Sequence, residues 1–182
     1  LRGPITVGCY ATIAATVLPR LITGFETLHP EVSISSVEGN MDTLLPMLEA
    51  GKLDVLITYR IQLPPELQEA VLFETASHVI LPSNHRLADQ ASVSLTELAD
   101  EPLIMLDLPP SGQHTLDMLQ AAGVKASIRH RTANYELVRS MVARGLGYSL
   151  LVQKPLIDHS YEGLPLVAKR IHPEFSLETA VM

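Results

Sequence analysis

The chain has 182 residues, 13 of them lysine or arginine against 20 aspartates and glutamates, for a formal charge of −7 with 47% hydrophobic residues. That balance describes a globular protein able to bury a core without metal or disulfides, and it excludes binding to DNA or an anionic membrane by this stretch alone. Cys9 is the only cysteine, which also excludes an internal disulfide and a cysteine-rich zinc site.

No apolar run approaches the roughly 18 residues that cross a bilayer, and the opening LRGPIT has no signal-sequence character, so a cytoplasmic location is expected. The chain opens on a strand-like IT and stops within another strand-like run, LETAVM, and reads as a piece of something longer.

Strand and helix patterns alternate throughout, which predicts an α/β fold with a largely parallel sheet. Ile5 to Val7 forms a strand ending at Gly8, and a helix follows with Val17, Leu18, Leu21, Ile22 and Phe25 on one stripe. Pro19 predicts a kink there or a separate first turn. Residues 32–37 alternate as a strand that ends at Glu38-Gly39-Asn40. A helix over 41–50 comes next, with Leu44, Leu45 and Leu48 inward and Gly51 as its stop. The run 53–58 reads as a strand buried on both faces.

Ligands of open α/β sheets sit beyond the carboxyl ends of strands, so the junctions at Cys9 to Thr12, Gly39 to Asp42 and Thr58-Tyr59 are expected to line one cleft. Helix-opening amides attract anions, and small side chains at the first junction let one come close.

Residues 61–68 are irregular and 71–81 extended. Ser94 and Glu97 spell a capping box for a short helix over 95–99, and 103–106 is a strand. The loop 108–113 leads into a helix over 114–122 closed by Gly123. Residues 126–131 form a strand, Asn134 caps a helix over 135–144 ended by Gly145, and 147–152 is another strand.

Read together, Leu18-Pro19, Phe25, Pro30-x-Val32, Glu38-Gly39-Asn40, Leu44-x-x-x-Leu48-x-x-Gly51-x-Leu53-Asp54-x-x-Ile57, Pro82-x-x-His85-x-Leu87-Ala88 and Val142-x-x-Gly145-x-Gly147-Tyr148-x-Leu150-Leu151 resemble the effector-binding portion of LysR-type transcriptional regulators. The likeness follows the family's order over nearly the whole chain. It implies two Rossmann-like subdomains joined by two crossover strands, like a type II periplasmic binding protein, with a small effector in the cleft between them. Subdomain I is then residues 1–74 and 153–182, and subdomain II is 75–152. The resemblance also implies an N-terminal winged helix-turn-helix and a linker helix, neither of which these residues contain, so DNA binding is expected only through that missing head. It implies pairing with further copies of the chain as a homodimer or homotetramer.

Thr12 matches the position where the family commonly places an effector-touching hydroxyl; it can cap its helix, bind ligand or do both, and ligand contact is the favoured reading. Tyr10 and Ala11 are expected in the same wall. Cys9 reads as small-residue filler or passive wall rather than a nucleophile, since no second cysteine could resolve an oxidised thiol. Asn40 can be a cap or a ligand contact, and Thr58 and Tyr59 end the third strand. Arg60 can pair with an effector carboxylate or lie solvated. In the second lobe Ser111 and Gly112, with Gln113, form a helix-opening loop that could share an anion with the first. Asn134 is weighed toward a cap and Tyr135 toward the cleft wall.

The seven histidines show no metal-binding spacing, and no cofactor is expected. With no acid/base pair at the first-lobe junctions, an enzyme is the weakest reading, and a solute-binding protein of a transport system is the main alternative to the regulator. The expected effector is a small organic anion: an aromatic acid, an amino acid or a sugar acid.

Overall fold

A computed structural model describes residues 2–182. It contains two compact units, the first running to Glu74 and resuming at Leu177–Met182, the second spanning Thr75–Ser176. The chain leaves the first unit within β4 (Ala70–Ala76) and returns within β11 (Ser176–Val181), so two strands make the crossovers.

The first unit is built on β1 (Gly3–Tyr10), α1 (Ala11–Leu28), β2 (Val32–Gly39), α2 (Met41–Glu49) and β3 (Val55–Tyr59). Its sheet has the order β2-β1-β3-β11-β4; β1 pairs parallel with β2 and β3, and β11 runs antiparallel to β3. Val7 to Tyr10 and Leu56 to Tyr59 are buried, as central strands covered on both faces require. Gly8 does not end its strand. A Cβ there would lie 2.5 Å from Leu53 Cδ1, so the missing side chain makes room for Leu53 and Leu56, which pack with Leu44 of α2.

α1 is one helix, so of the two alternatives at Pro19 the separate first turn does not hold. Proline removes one amide, leaving the Ala15 carbonyl without its usual partner. One turn later Thr23 donates its hydroxyl to the Pro19 carbonyl at 2.7 Å, and Thr27 repeats the bond to Thr23 at 2.6 Å. Leu18 is buried, with Val17, Leu21, Ile22 and Phe25 partly covered on the same stripe. α2 stops where Gly51 takes φ +65°, a conformation a side chain would strain.

The second unit is less parallel than the sequence pattern predicts. β5 (His78–Pro82) pairs antiparallel with both β9 (Ser149–Leu151) and β10 (Leu166–Ile171), and the short β6 (Ser92–Val93) completes the order β6-β10-β5-β9. β7 (Leu103–Leu106) and β8 (Ile128–Thr132) form a parallel pair, and Leu103 bridges to Tyr148, the residue just before β9. Between them run α3 (Ser111–Ala121) and, after β8, α4 (Tyr135–Ala143).

β10 corrects the subdomain boundary. The segment 153–176, assigned above to the first lobe, belongs to the second unit because β10 zips onto β5 from Leu166 opposite Pro82 to Arg170 opposite His78. Lys169 and Arg170 dilute its apolar signal, which is why no strand is predicted there. The extended run 71–81 is two strands, parted at Ser77, whose amide donates to the Phe175 carbonyl at 2.8 Å. Ser94 and Glu97 do form a capping box, over a 3-10 turn at Leu95–Leu98. Leu95, Leu98, Leu103, Met105, Leu119 and Tyr148 belong to one buried cluster. Gly147 is required by backbone approach: a Cβ there would sit 2.2 Å from the Pro102 carbonyl oxygen, which accepts the Tyr148 amide.

Candidate functional site

In the first unit the parallel register sets Tyr10 opposite Gly39 and Cys9 opposite Ile57, so β1, β2 and β3 end at one edge of the sheet. The three junctions named from the sequence therefore share one end of one layer. Ala11 opens α1 and is exposed, whereas Cys9, Tyr10, Thr58 and Tyr59 are buried. The rings of Tyr10 and Tyr59 meet edge to face at 5.5 Å. Thr12, half-buried in the first turn of α1, donates its hydroxyl to the Tyr59 hydroxyl at 3.2 Å.

The two helices at this edge are capped differently. Asn40 accepts from the Thr43 amide at 3.0 Å and from its hydroxyl at 3.1 Å, a full cap for α2. No side chain caps α1, whose first residue follows Tyr10 directly from the strand. The start of α1 thus carries partial positive charge beside two hydroxyls. Thr58 turns inward and donates to the Met41 sulfur at 3.1 Å.

Arg60 is half-exposed to solvent, as one of its two readings has it, and its guanidinium is taken up by two carboxylates of the first unit. Its Nε donates to Glu69 at 2.8 Å and its Nη1 to Glu178 at 2.7 Å, two bonds that raise its pKa further. Cys9 has no nucleophile character: burial, aided by the charge of Glu38, pushes its thiol up to about 12.

β11 brings a residue to this edge for which the sequence reading has no role. Thr179 stands opposite Tyr59 in the antiparallel ladder, fully buried, and its Oγ1 has no hydrogen-bond partner among the described residues. A polar residue inside the apolar alternation of LETAVM is the signal that could have marked it.

In the second unit Leu106 pairs with Thr132, so the β7–α3 and β8–α4 junctions also share an edge. α3 begins at Ser111, three residues earlier than the sequence predicts, and has no side-chain cap. Ser111 and Gly112 are buried, and a Cβ on Gly112 would meet the Met105 side chain at 2.9 Å and Asp107 Oδ1 at 3.0 Å. Gln113 bonds Asp117 at 2.7 Å along the same helix. Asn134 is a cap, accepting from the Leu137 amide at 2.9 Å. Tyr135 donates to the Gln153 carbonyl at 3.3 Å, and burial pushes its phenol up to about 12. A pair the sequence does not signal joins Ser77 Oγ and His114 Nε2 at 3.4 Å; burial holds His114 below its usual pKa. Among the described residues no group of three histidine, cysteine or carboxylate side chains could hold a metal. No helix among them is long and apolar enough to cross a membrane.

Two α/β units joined by two crossover strands are the architecture of the periplasmic-binding-protein-like regulatory domains. The family model for the LysR substrate binding domain matches residues 1–181, and the chain belongs to that family. The C-terminal domain of "a probable LysR family transcriptional regulator" from Rhodococcus sp. RHA1 is similar over 100% of this chain and 90% of its own, with 40% identity and a TM-score of 0.96. HinK, a LysR family transcriptional regulator from Pseudomonas aeruginosa, is similar over 99% of this chain and 63% of its own, with 33% identity and a TM-score of 0.92. The DNA-binding transcriptional dual regulator OxyR of Escherichia coli K12 is 28% identical over 155 residues, 83% of this chain and 50% of OxyR. The chain spans about half the length of the curated relatives it matches.

Proposed function

We propose that this chain is the effector-sensing and oligomerising part of a cytoplasmic LysR-type regulator whose DNA-binding head lies outside these residues. It recognises a small organic anion without transforming it, and occupancy biases an equilibrium between states of the domain by its differential affinity for them. The carrying observation is the start of α1: a helix terminus without a side-chain cap, with the hydroxyls of Thr12 and Tyr59 beside it. Ala11 and Asn40 flank that point on the same edge, with Cys9, Tyr10 and Thr58 as buried wall behind it. Ser111, Gly112, Asn134 and Tyr135 offer a second polar edge, where α3 likewise lacks a side-chain cap.

Family membership favours this reading over a transport component. The names of several relatives record hydrogen-peroxide-inducible genes. A peroxide-reactive cysteine must be an accessible thiolate, and Cys9 is a buried neutral thiol, so sensing by a bound metabolite is the reading that the chemistry supports. Calorimetry with a panel of small organic acids tests it. Thr12→Val is expected to weaken the acid that binds by about tenfold with little change in stability, and unchanged affinity refutes the assignment.

A further inference from the structure

Buried hydroxyls in folded proteins nearly always find a partner, because an unpaired one forfeits the bonds it made to water. Thr179 breaks that rule within the first unit: it is fully buried and its Oγ1 bonds nothing among the described residues. Its place is informative. Directly opposed residues of an antiparallel pair share a face with adjacent Cβ atoms, so Thr179 stands beside Tyr59, whose hydroxyl accepts from Thr12 at the start of α1.

Packing does not call for a hydroxyl there. Valine has the same branched shape and the same preference for strands. Two residues on, the same strand pair uses Val181 opposite Ile57, with no polar atom on either side chain. The start of α1 adds amides without a side-chain cap, and Arg60 is already held by Glu69 and Glu178. Hydroxyl and amide donors with no uncommitted guanidinium suit one negative charge, since a helix terminus supplies only about half a positive charge.

We propose that the Thr179 hydroxyl is a ligand contact, donating a hydrogen bond to the carboxylate of a small monocarboxylic acid held at the start of α1. This deepens the function proposed above and rests on it for the position of the ligand.

The test uses thermal melts and calorimetry on the wild-type chain, Thr179→Val and Thr179→Ser, with benzoate, pyruvate and glycolate as probes and inorganic phosphate as the multiply charged comparator. At least one monocarboxylate is expected to bind the wild type more tightly than phosphate does. Thr179→Val is expected to raise the ligand-free Tm by roughly 1–3 °C while weakening that probe about tenfold, opposite signs that a purely structural threonine would not produce. Thr179→Ser, which keeps the donor, is expected to hold affinity within about threefold. A lower ligand-free Tm for Thr179→Val, unchanged affinity in that variant, or no monocarboxylate binding to the wild type overturns the proposal. Thr12→Val separates the two readings: if it loses the probe while Thr179→Val keeps it, the α1 site stands and the role of Thr179 falls.

Discussion

Thr12 and Tyr59 meet hydroxyl to hydroxyl at 3.2 Å, tying the first turn of α1 to the last residue of β3 across 47 positions of sequence. Thr12 is half-buried and can turn toward water once the bond is lost, which limits the bond's contribution to about 1 kcal/mol. Tyr59→Phe is expected to cost about 1 kcal/mol in urea unfolding with an unchanged m-value. A loss of about 3 kcal/mol or more would mean that the phenol anchors the strand end, not merely the α1 junction.

Asn40 and Asn134 each hold one amide three residues on, at 3.0 and 2.9 Å. Replacing either by alanine is expected to cost about 1 kcal/mol, and serine should retain most of it. The two caps lie in different units and share no partner, so the double variant should lose the sum to within about 0.5 kcal/mol. A sum exceeded by more than that in equilibrium unfolding would show that the caps act on one cooperative element.

The contrast between capped and uncapped helices explains how far the sequence could be read. Asn40, Ser94 and Asn134 are local signals, each acting on residues two or three positions away, and all three are caps in the structure. The shared edge of β1, β2 and β3 was equally legible, because strand–junction–helix order dictates where parallel strands end. Partners distant in sequence were not legible. Arg60 meets Glu178 across 118 positions, and β10 takes its place only through β5. Gly8 reads as a strand end from its neighbours alone, whereas its role is set by Leu53, which occupies the space of its missing side chain from far along the chain.

Arg139 on α4 is a second long-range feature with a measurable consequence. Its side chain is 7% exposed, pairs with Glu136, and donates through Nη2 to the carbonyls of Ile157 at 2.6 Å and His159 at 2.7 Å. Glu136 in turn accepts the Tyr161 amide at 2.6 Å, so one helix turn fastens the segment 157–161. Arg139→Met leaves a mostly buried carboxylate and two carbonyls without their donor, and is expected to cost about 2–4 kcal/mol. Arg139→Lys should recover only part of it, because one ammonium cannot span the same fork. Urea unfolding gives the magnitude, and earlier proteolytic cutting within 154–162 gives the location; equal cutting rates would place the damage elsewhere.

Cys9 supplies the pH dependence. Its thiol titrates near 9.0 in an unstructured chain and near 12 when folded, raised first by burial and then by Glu38. Between those values the unfolded chain releases a proton that the folded one keeps, so ionisation favours unfolding. The contribution is fully present below pH 9 and is lost as pH rises toward 12. Cys9→Ala removes this group, and its urea midpoint should fall less steeply than the wild type's between about pH 8 and pH 11. Tyr135 and Tyr148, whose phenols are also pushed up to about 12 by burial, keep some alkaline slope in both proteins. At pH 8 iodoacetamide should label the wild type only once urea has unfolded it, and rapid labelling of the folded chain would contradict a buried neutral thiol.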